Sequence, residues 1–199
     1  MSAFLERISL RGQHVALEPL TLEHHDALVA AASDGELWRS WVTTVATPET
    51  MRADIEARLA RYAKGVTVPF VMRRLADNKV VGATTYHDID AANRRLEIGY
   101  TWIAVSAQRT AINTEAKLLM LSDCFERLQC NAVEFRTHWH NRQSRAAIER
   151  LGAKLDGVLR NHRIMPNGTL RDTCVYSIVA AEWPAVRAGL QERLARGSA

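Results

Sequence analysis

Apolar and polar positions alternate across residues 14–20, with Val15 and Leu17 on one side, and this predicts a strand. Thr21 can cap a helix running to about residue 32, which Asp34-Gly35 closes. Residues 36–42, with two tryptophans, read as a short helical or irregular segment. Thr47-Pro48-Glu49 supplies a hydroxyl cap, a first-turn proline and an acid near the positive end of a helix dipole. Met51, Ile55, Leu59 and Tyr62 then share one helical face, and Gly65 is placed to end it. Beyond this point the period shortens. Residues 68–74 and 80–88 form a predicted hairpin, and residues 96–105 a third strand. The longest helix is predicted for residues 113–128, with Ile112, Ala116, Leu119, Met120 and Phe125 as its apolar stripe. A strand at 132–138, a helix at 142–151 stopped by Gly152, and a strand at 154–163 follow. Pro166-Asn167-Gly168 turns the chain into a strand at 170–179, and residues 184–196 are helical by pattern.

No linker, repeat or low-complexity tract divides the chain, so it reads as one α/β domain at residues 10–180 with a helical tail at 181–199. The strand–helix–strand unit from residue 96 to 138 makes its two strands parallel. With 199 residues and 47% of them hydrophobic, the chain has material for a core; a domain of this size buries about 70% of its unfolded surface. The net charge of +4 is spread among acids. No dense basic block marks a nucleic-acid partner, whereas a modest surplus suits a small polyanion. Cys124, Cys130 and Cys174 form no C-x-x-C pair, which argues against disulfides or a thiolate zinc site and fits a reducing compartment. The first thirteen residues carry charges throughout, and no stretch approaches the ~20 apolar residues of a membrane span. The expectation is a cytoplasmic protein with no membrane partner.

Candidate chemistry gathers after the third strand. A helix N-terminus offers free backbone N–H groups and a positive dipole end, which suits phosphate. Here the loop Ser106-Ala107-Gln108-Arg109-Thr110-Ala111-Ile112-Asn113-Thr114 adds a cation and two threonine hydroxyls. An ordinary helix start capped by Asn113 or Thr114 is the alternative. His138 and His140 could share a strand face, but no third metal ligand is evident near them.

The order of these elements, with Asn141-Arg142-Gln143-Ser144 after the second parallel strand, resembles the GNAT (GCN5-related N-acetyltransferase) superfamily. Gln108-Arg109-Thr110-Ala111-Ile112-Asn113 lines up with its pyrophosphate motif [Q/R]-x-x-G-x-[G/A], with Ala111 and Asn113 at the glycine positions. Residues 141–153 look like its N-x-x-S-x-x-x-x-x-x-L-G segment. With Leu96-Glu97-Ile98-Gly99-Tyr100, the resemblance is closest to the Rim-type branch, which includes ribosomal-protein N-terminal acetyltransferases, and it covers about residues 10–180.

The resemblance implies a mixed, mostly antiparallel twisted sheet flanked by helices, with a central parallel pair that splays apart. It also implies acetyl-CoA as cosubstrate, no metal, an amine acceptor and, at family level, a homodimer. Pantetheine would lie in the gap along Trp102, Ile103, Ala104 and Val105, with an N–H near Ile103 facing the acetyl carbonyl. Pyrophosphate would rest on Arg109, Thr110, Ala111, Ile112, Asn113 and Thr114, and Asn141 would bond the pantetheine arm. An asparagine at 113 tolerates left-handed backbone and could preserve the loop's shape. Glu97 stands where several members carry a general base; its alternative is a solvent-facing strand residue or a partner of Arg95. Ser144 matches a proposed general acid, with helix capping as its alternative, and Tyr100 and Tyr86 are rival proton donors. Trp38, Trp41 and Tyr86 are expected at the acceptor pocket, bounded by residues 31–49 and 87–94. A GNAT-fold module that binds CoA or a protein without turnover is the competing reading.

Overall fold

Val15 and Leu17 are drawn completely out of solvent, and the strand they anchor is the second in a single sheet. The computed structural model describes residues 3–197. Its strands are β1 (Leu10–Arg11), β2 (Val15–Pro19), β3 (Thr67–Arg74), β4 (Lys79–Asp90), β5 (Arg95–Ile103), β6 (Ala132–His138), β7 (Lys154–Ile164) and β8 (Leu170–Val179). Its helices are α1 (His25–Ser33), α2 (Met51–Ala63), α3 (Ala111–Ser122), α4 (Arg142–Leu151) and α5 (Trp183–Ala195). The sheet order is β1-β2-β3-β4-β5-β6-β8-β7. Every pairing is antiparallel except β5 with β6.

That parallel join is short. It comprises Arg95↔Ala132, Leu96↔Val133 and Glu97↔Glu134, and pairing stops there although β5 continues to Ile103 and β6 to His138. Backbone irregularities on the other side of β5 accompany the opening. Tyr100 has φ of 49° and Asp88 of 47°, and the β4–β5 register shifts between Ala83 and Thr85 and again between His87 and Asp90. The result is a seam between β5 and β6, closed at one end and open at the other.

Adjacent β4 residues show the two faces. Thr85 is reached by Arg58 of α2, 3.5 Å away, whereas the Tyr86 hydroxyl donates to the Met120 carbonyl of α3 at 3.0 Å. One apolar core runs from Phe4 to Leu190. The C-terminal helix belongs to it: Trp183 and Leu190 are buried, and the Trp183 ring stacks on Phe125 at 5.3 Å.

Among the boundaries that differ from expectation, three have a visible cause. The strand expected to reach residue 105 ends at Ile103, because Val105 enters a single 3-10 turn and donates its N–H to the Asp34 carbonyl at 3.2 Å. The helix predicted for 113–128 begins two residues earlier and stays α only to Ser122. Asp123–Arg127 form a wider π turn, which carries Asp123, Cys124 and Phe125 into the interior while Arg127 closes on Asp123 at 2.5 Å. The second helix starts at Met51 rather than at 47, since Thr47 turns its N–H onto Thr50 Oγ1 at 2.9 Å.

Candidate active site

The site is built around the open end of the seam. Trp102 is in register with Ala83, and the Ala104 N–H donates to the Val81 carbonyl at 2.8 Å. Backbone groups alternate sides along a strand, so the N–H and carbonyl of Ile103 between them face the gap. The carbonyl accepts from Gln108 Nε2 at 2.9 Å, leaving the N–H directed at the seam. Trp102, Ile103 and Ala104 are buried and Val105 is half exposed.

Just beyond, α3 presents its N-terminus. Thr110 is the cap, not Asn113 or Thr114: its hydroxyl accepts from Ile112 N at 3.4 Å and donates to the Ala107 carbonyl at 2.7 Å. The left-handed residue is Arg109, with φ of 58°. Ala111 and Asn113 both lie in the first helical turn, so neither motif position needs the backbone freedom of glycine. First-turn N–H groups have no carbonyl one turn back to bond, and those of Ala111 and Asn113 point out of the helix end beside the exposed Arg109. Thr114 is buried behind them.

On the other bank, Asn141 caps α4 by accepting from Ser144 N at 3.0 Å. Ser144 is therefore the third helical residue rather than the cap, and its half-buried hydroxyl bonds no other described residue. Gln143 Nε2 reaches Gln108 Oε1 at 3.3 Å, linking the two banks near the α3 end.

Glu97 sits at the closed end of the seam, on the face toward α1 and α2. It neither faces solvent nor pairs with Arg95, which bonds Glu134 instead. Its side chain is 6% exposed, with one oxygen 3.2 Å from His87 Nε2 and the other 3.5 Å from Arg136 Nε. These contacts have ion-pair distances without hydrogen-bond alignment, so both nitrogens remain unsatisfied. Gly99 permits the approach; a Cβ there would stand 2.3 Å from His87 Nε2. Tyr100 packs its ring 4.8 Å from that of His87, under the guanidinium groups of Arg58 and Arg61.

Four buried side-chain polar atoms lack a hydrogen-bond partner among the described residues: Thr67 Oγ1, His87 Nε2, Arg136 Nε and His138 Nε2. All four lie on this one face. Thr67, His87, Glu97 and Glu134 are consecutive cross-strand neighbours, and Arg136 and His138 follow Glu134 along β6 in steps of two. Unsatisfied buried polar atoms are rare in folded proteins and call for a ligand or solvent partner. Their concentration here marks a candidate polar site.

Trp41, on the α1–α2 connection, stands over the end of this row, its ring 5.2 Å from that of His138 and 5.7 Å from that of His140. Trp38 is half-buried against the core. Tyr86 does not belong to the pocket. It points through the opposite face, is 1% exposed, and places its hydroxyl between the Met120 carbonyl and Asp123 Oδ2. That burial raises its pKa well above the ordinary phenol value and removes it as a proton donor as well.

His87, Asp88 and Glu97 have potential ligand atoms within 4.8 Å of one another. Arg136 already lies 3.5 Å from Glu97 and 3.7 Å from Asp88, so the carboxylates face a fixed cation. His138 and His140 are tied to each other by the His140 N–H donated to His138 Nδ1 at 3.1 Å. The sequence put His87 at the edge of the expected acceptor pocket but offered no sign that it meets Glu97, or that Arg136 joins them, since that meeting depends on strand register.

Comparison with known proteins identifies the family and the fold. The family model described as "Acetyltransferase (GNAT) domain" matches residues 14–154. The chain is 35% identical over 109 residues to YdaF of Bacillus subtilis (strain 168), provisionally named a ribosomal N-acetyltransferase, covering 55% of this chain and 58% of YdaF. That match spans less than two thirds of the relative. A GCN5-related N-acetyltransferase from Brucella melitensis superposes with a TM-score of 0.85 at 34% identity, over 95% of this chain and 86% of that one. A provisionally named acetyltransferase from T. thermophilus superposes with a TM-score of 0.83 at 36% identity, over 98% of this chain and all (100%) of its own.

Proposed function

The chain belongs to the GNAT acetyltransferase family, and on that premise we propose that it moves an acetyl group from acetyl-CoA directly to a primary amine. The acceptor is the α-amine of a peptide or protein N-terminus, or a small amine. The observation that carries this reading is the open seam, which turns the unpaired Ile103 N–H toward the gap a few residues before a free helix N-terminus.

Acetyl-CoA supplies the activated thioester. The N–H groups at the start of α3, with Arg109, Thr110 and Thr114, hold its pyrophosphate, where backbone donors and the helix dipole favour negative charge. Asn141 has its oxygen committed to capping α4, so its amide NH2 group is the part that serves the pantetheine arm. The Ile103 N–H donates to the acetyl oxygen as negative charge develops there. Glu97 accepts the amine's proton, directly or through water, with His87 and Arg136 holding its two oxygens. Ser144 returns a proton to the leaving sulfur. An α-amine suits this arrangement, because its pKa of about 7.7–8.0 leaves roughly a tenth of it neutral at pH 7, far more than a lysine at about 10.4. YdaF's name points to the same acceptor class.

Calorimetric titration with acetyl-CoA is the direct test, with micromolar binding expected and its absence near millimolar fatal to the reading. In Glu97→Gln, the rate at neutral pH should fall about a hundredfold or more while acetyl-CoA affinity holds. An unchanged pH–rate profile would take Glu97 out of the base role.

A further inference from the structure

His138 has one nitrogen spoken for and one left over. Its Nδ1 accepts the His140 N–H at 3.1 Å, so the ring proton sits on Nε2, which is buried and without a partner. The residue is 2% exposed. Arg171 stands on the same face of the neighbouring strand. His138 pairs with Thr173 across β6 and β8, and Arg171 Nε donates to Thr173 Oγ1 at 3.0 Å. The terminal guanidinium nitrogens of Arg171 have no carboxylate or other partner among the described residues, although the side chain is half-buried. Glu97 acts on it only through space. On β5 and β6, Arg95 and Arg136 are matched by Glu134, and Arg136 also lies near Glu97 and Asp88. Arg163, in register with Arg171 on β7, adds a second cation without a carboxylate partner among the described residues.

Burial of a guanidinium without a counter-charge is costly, as is an orphaned imidazole N–H. Here the two lie on one face of adjacent strands, with Trp41 against the His138 ring. We propose that His138 Nε2 and Arg171 form a carboxylate-binding subsite, and that the acceptor amine carries a carboxylate a few ångströms away. The pair has the composition such a site needs: a planar cation that bonds both oxygens, and a neutral donor that adds direction. His138 is held below its ordinary pKa by burial and by the charge of Arg171, which keeps the imidazole a neutral donor. The carboxylate would come either from a free amino acid's α-carboxyl or from an acidic side chain near a peptide N-terminus.

This inference rests on the amine-transfer reading for its role, but its binding test does not. Glutarate, with glutaramide as control, is titrated into protein carrying isotope-labelled histidine while the His138 resonances are followed. Glutarate should shift them in the millimolar range and glutaramide should not. Arg171→Met should weaken the response about tenfold or more, and Arg171→Lys should restore part of it. Silence of His138 toward glutarate, or wild-type binding by a folded Arg171→Met, overturns the proposal. In turnover, acceptors are offered as matched pairs: Asp against Asn peptides, and amino acids against their amides. The acid member should win by about tenfold in kcat/KM, and the winning pair identifies the carboxylate's source. That ratio should fall toward one in Arg171→Met. Transfer without acid preference overturns the subsite and leaves the enzyme; a glutarate response without transfer to any amine keeps the subsite and removes the acetyltransferase.

Discussion

Lys117 projects from α3 into the interior, its ammonium 2.9 Å from Thr101 Oγ1 and 3.5 Å from Thr84 Oγ1, with no ion-pair partner among the described residues. Burial brings its pKa down from 10.5 to about 7. The unfolded chain keeps that proton up to the ordinary value, so between these two pH values it binds more protons than the fold. Stability therefore rises as pH climbs from about 7 toward 10, and this lysine's penalty is fully present below 7. Lys117→Met should remove the penalty, a gain on the order of a few kcal/mol at pH 7 less the two hydroxyl contacts. Urea midpoints measured from pH 6 to 10 would show a higher and flatter curve. A midpoint unchanged at pH 7 would mean that the ammonium reaches water. Glu115 shows the opposite solution to burying charge: its carboxylate accepts the N–H groups of Gln13, His14 and Val15 at 2.7, 2.7 and 2.8 Å. Such local pairings were invisible in the sequence because donors and acceptor lie about a hundred residues apart.

At the scale of elements, the helix–loop motif behaves differently from its glycine-rich family pattern. Ala111 is a helical residue of α3, so Ala111→Gly should cost about 0.5–1 kcal/mol in stability without improving the backbone's shape. Acetyl-CoA affinity should stay within about twofold, measured by the same titration. A large affinity gain would show that the side chain, not the backbone, restricts the cradle. Much of the element order was legible. The bounds of β6, α4 and β8 match expectation because punctuation flanks them: Asn141 and Gly152 around α4, and Asn167-Gly168 before β8. The end of α3 was not legible, since its π turn depends on packing of Phe125 against Trp183 and on the Asp123–Arg127 clasp. Likewise, Glu97 could be nominated from its strand, but its partners come from neighbouring strands: His87 from β4, whose register with β5 shifts twice, and Arg136 from β6, beyond the short parallel pairing. Tyr86 was misplaced for the same reason: one residue of slip decides which face a strand side chain takes.

For the whole molecule, the sheet is two blocks, β1–β5 and β6–β8, joined edge to edge by three residue pairs. The helices bind them further, α3 lying over β2 and meeting α5, which follows β8. Under a mechanical load, that seam is the weakest line across the sheet. Pulled in an optical trap by handles on β4 and β8, the protein should part there first, giving an early, short extension before the blocks themselves unravel. A molecule lodged between β5 and β6 would act as a rivet. The force of that first event should then climb with acetyl-CoA concentration while the later ones stay put, turning the gap in the sheet into a strain gauge for its own occupancy.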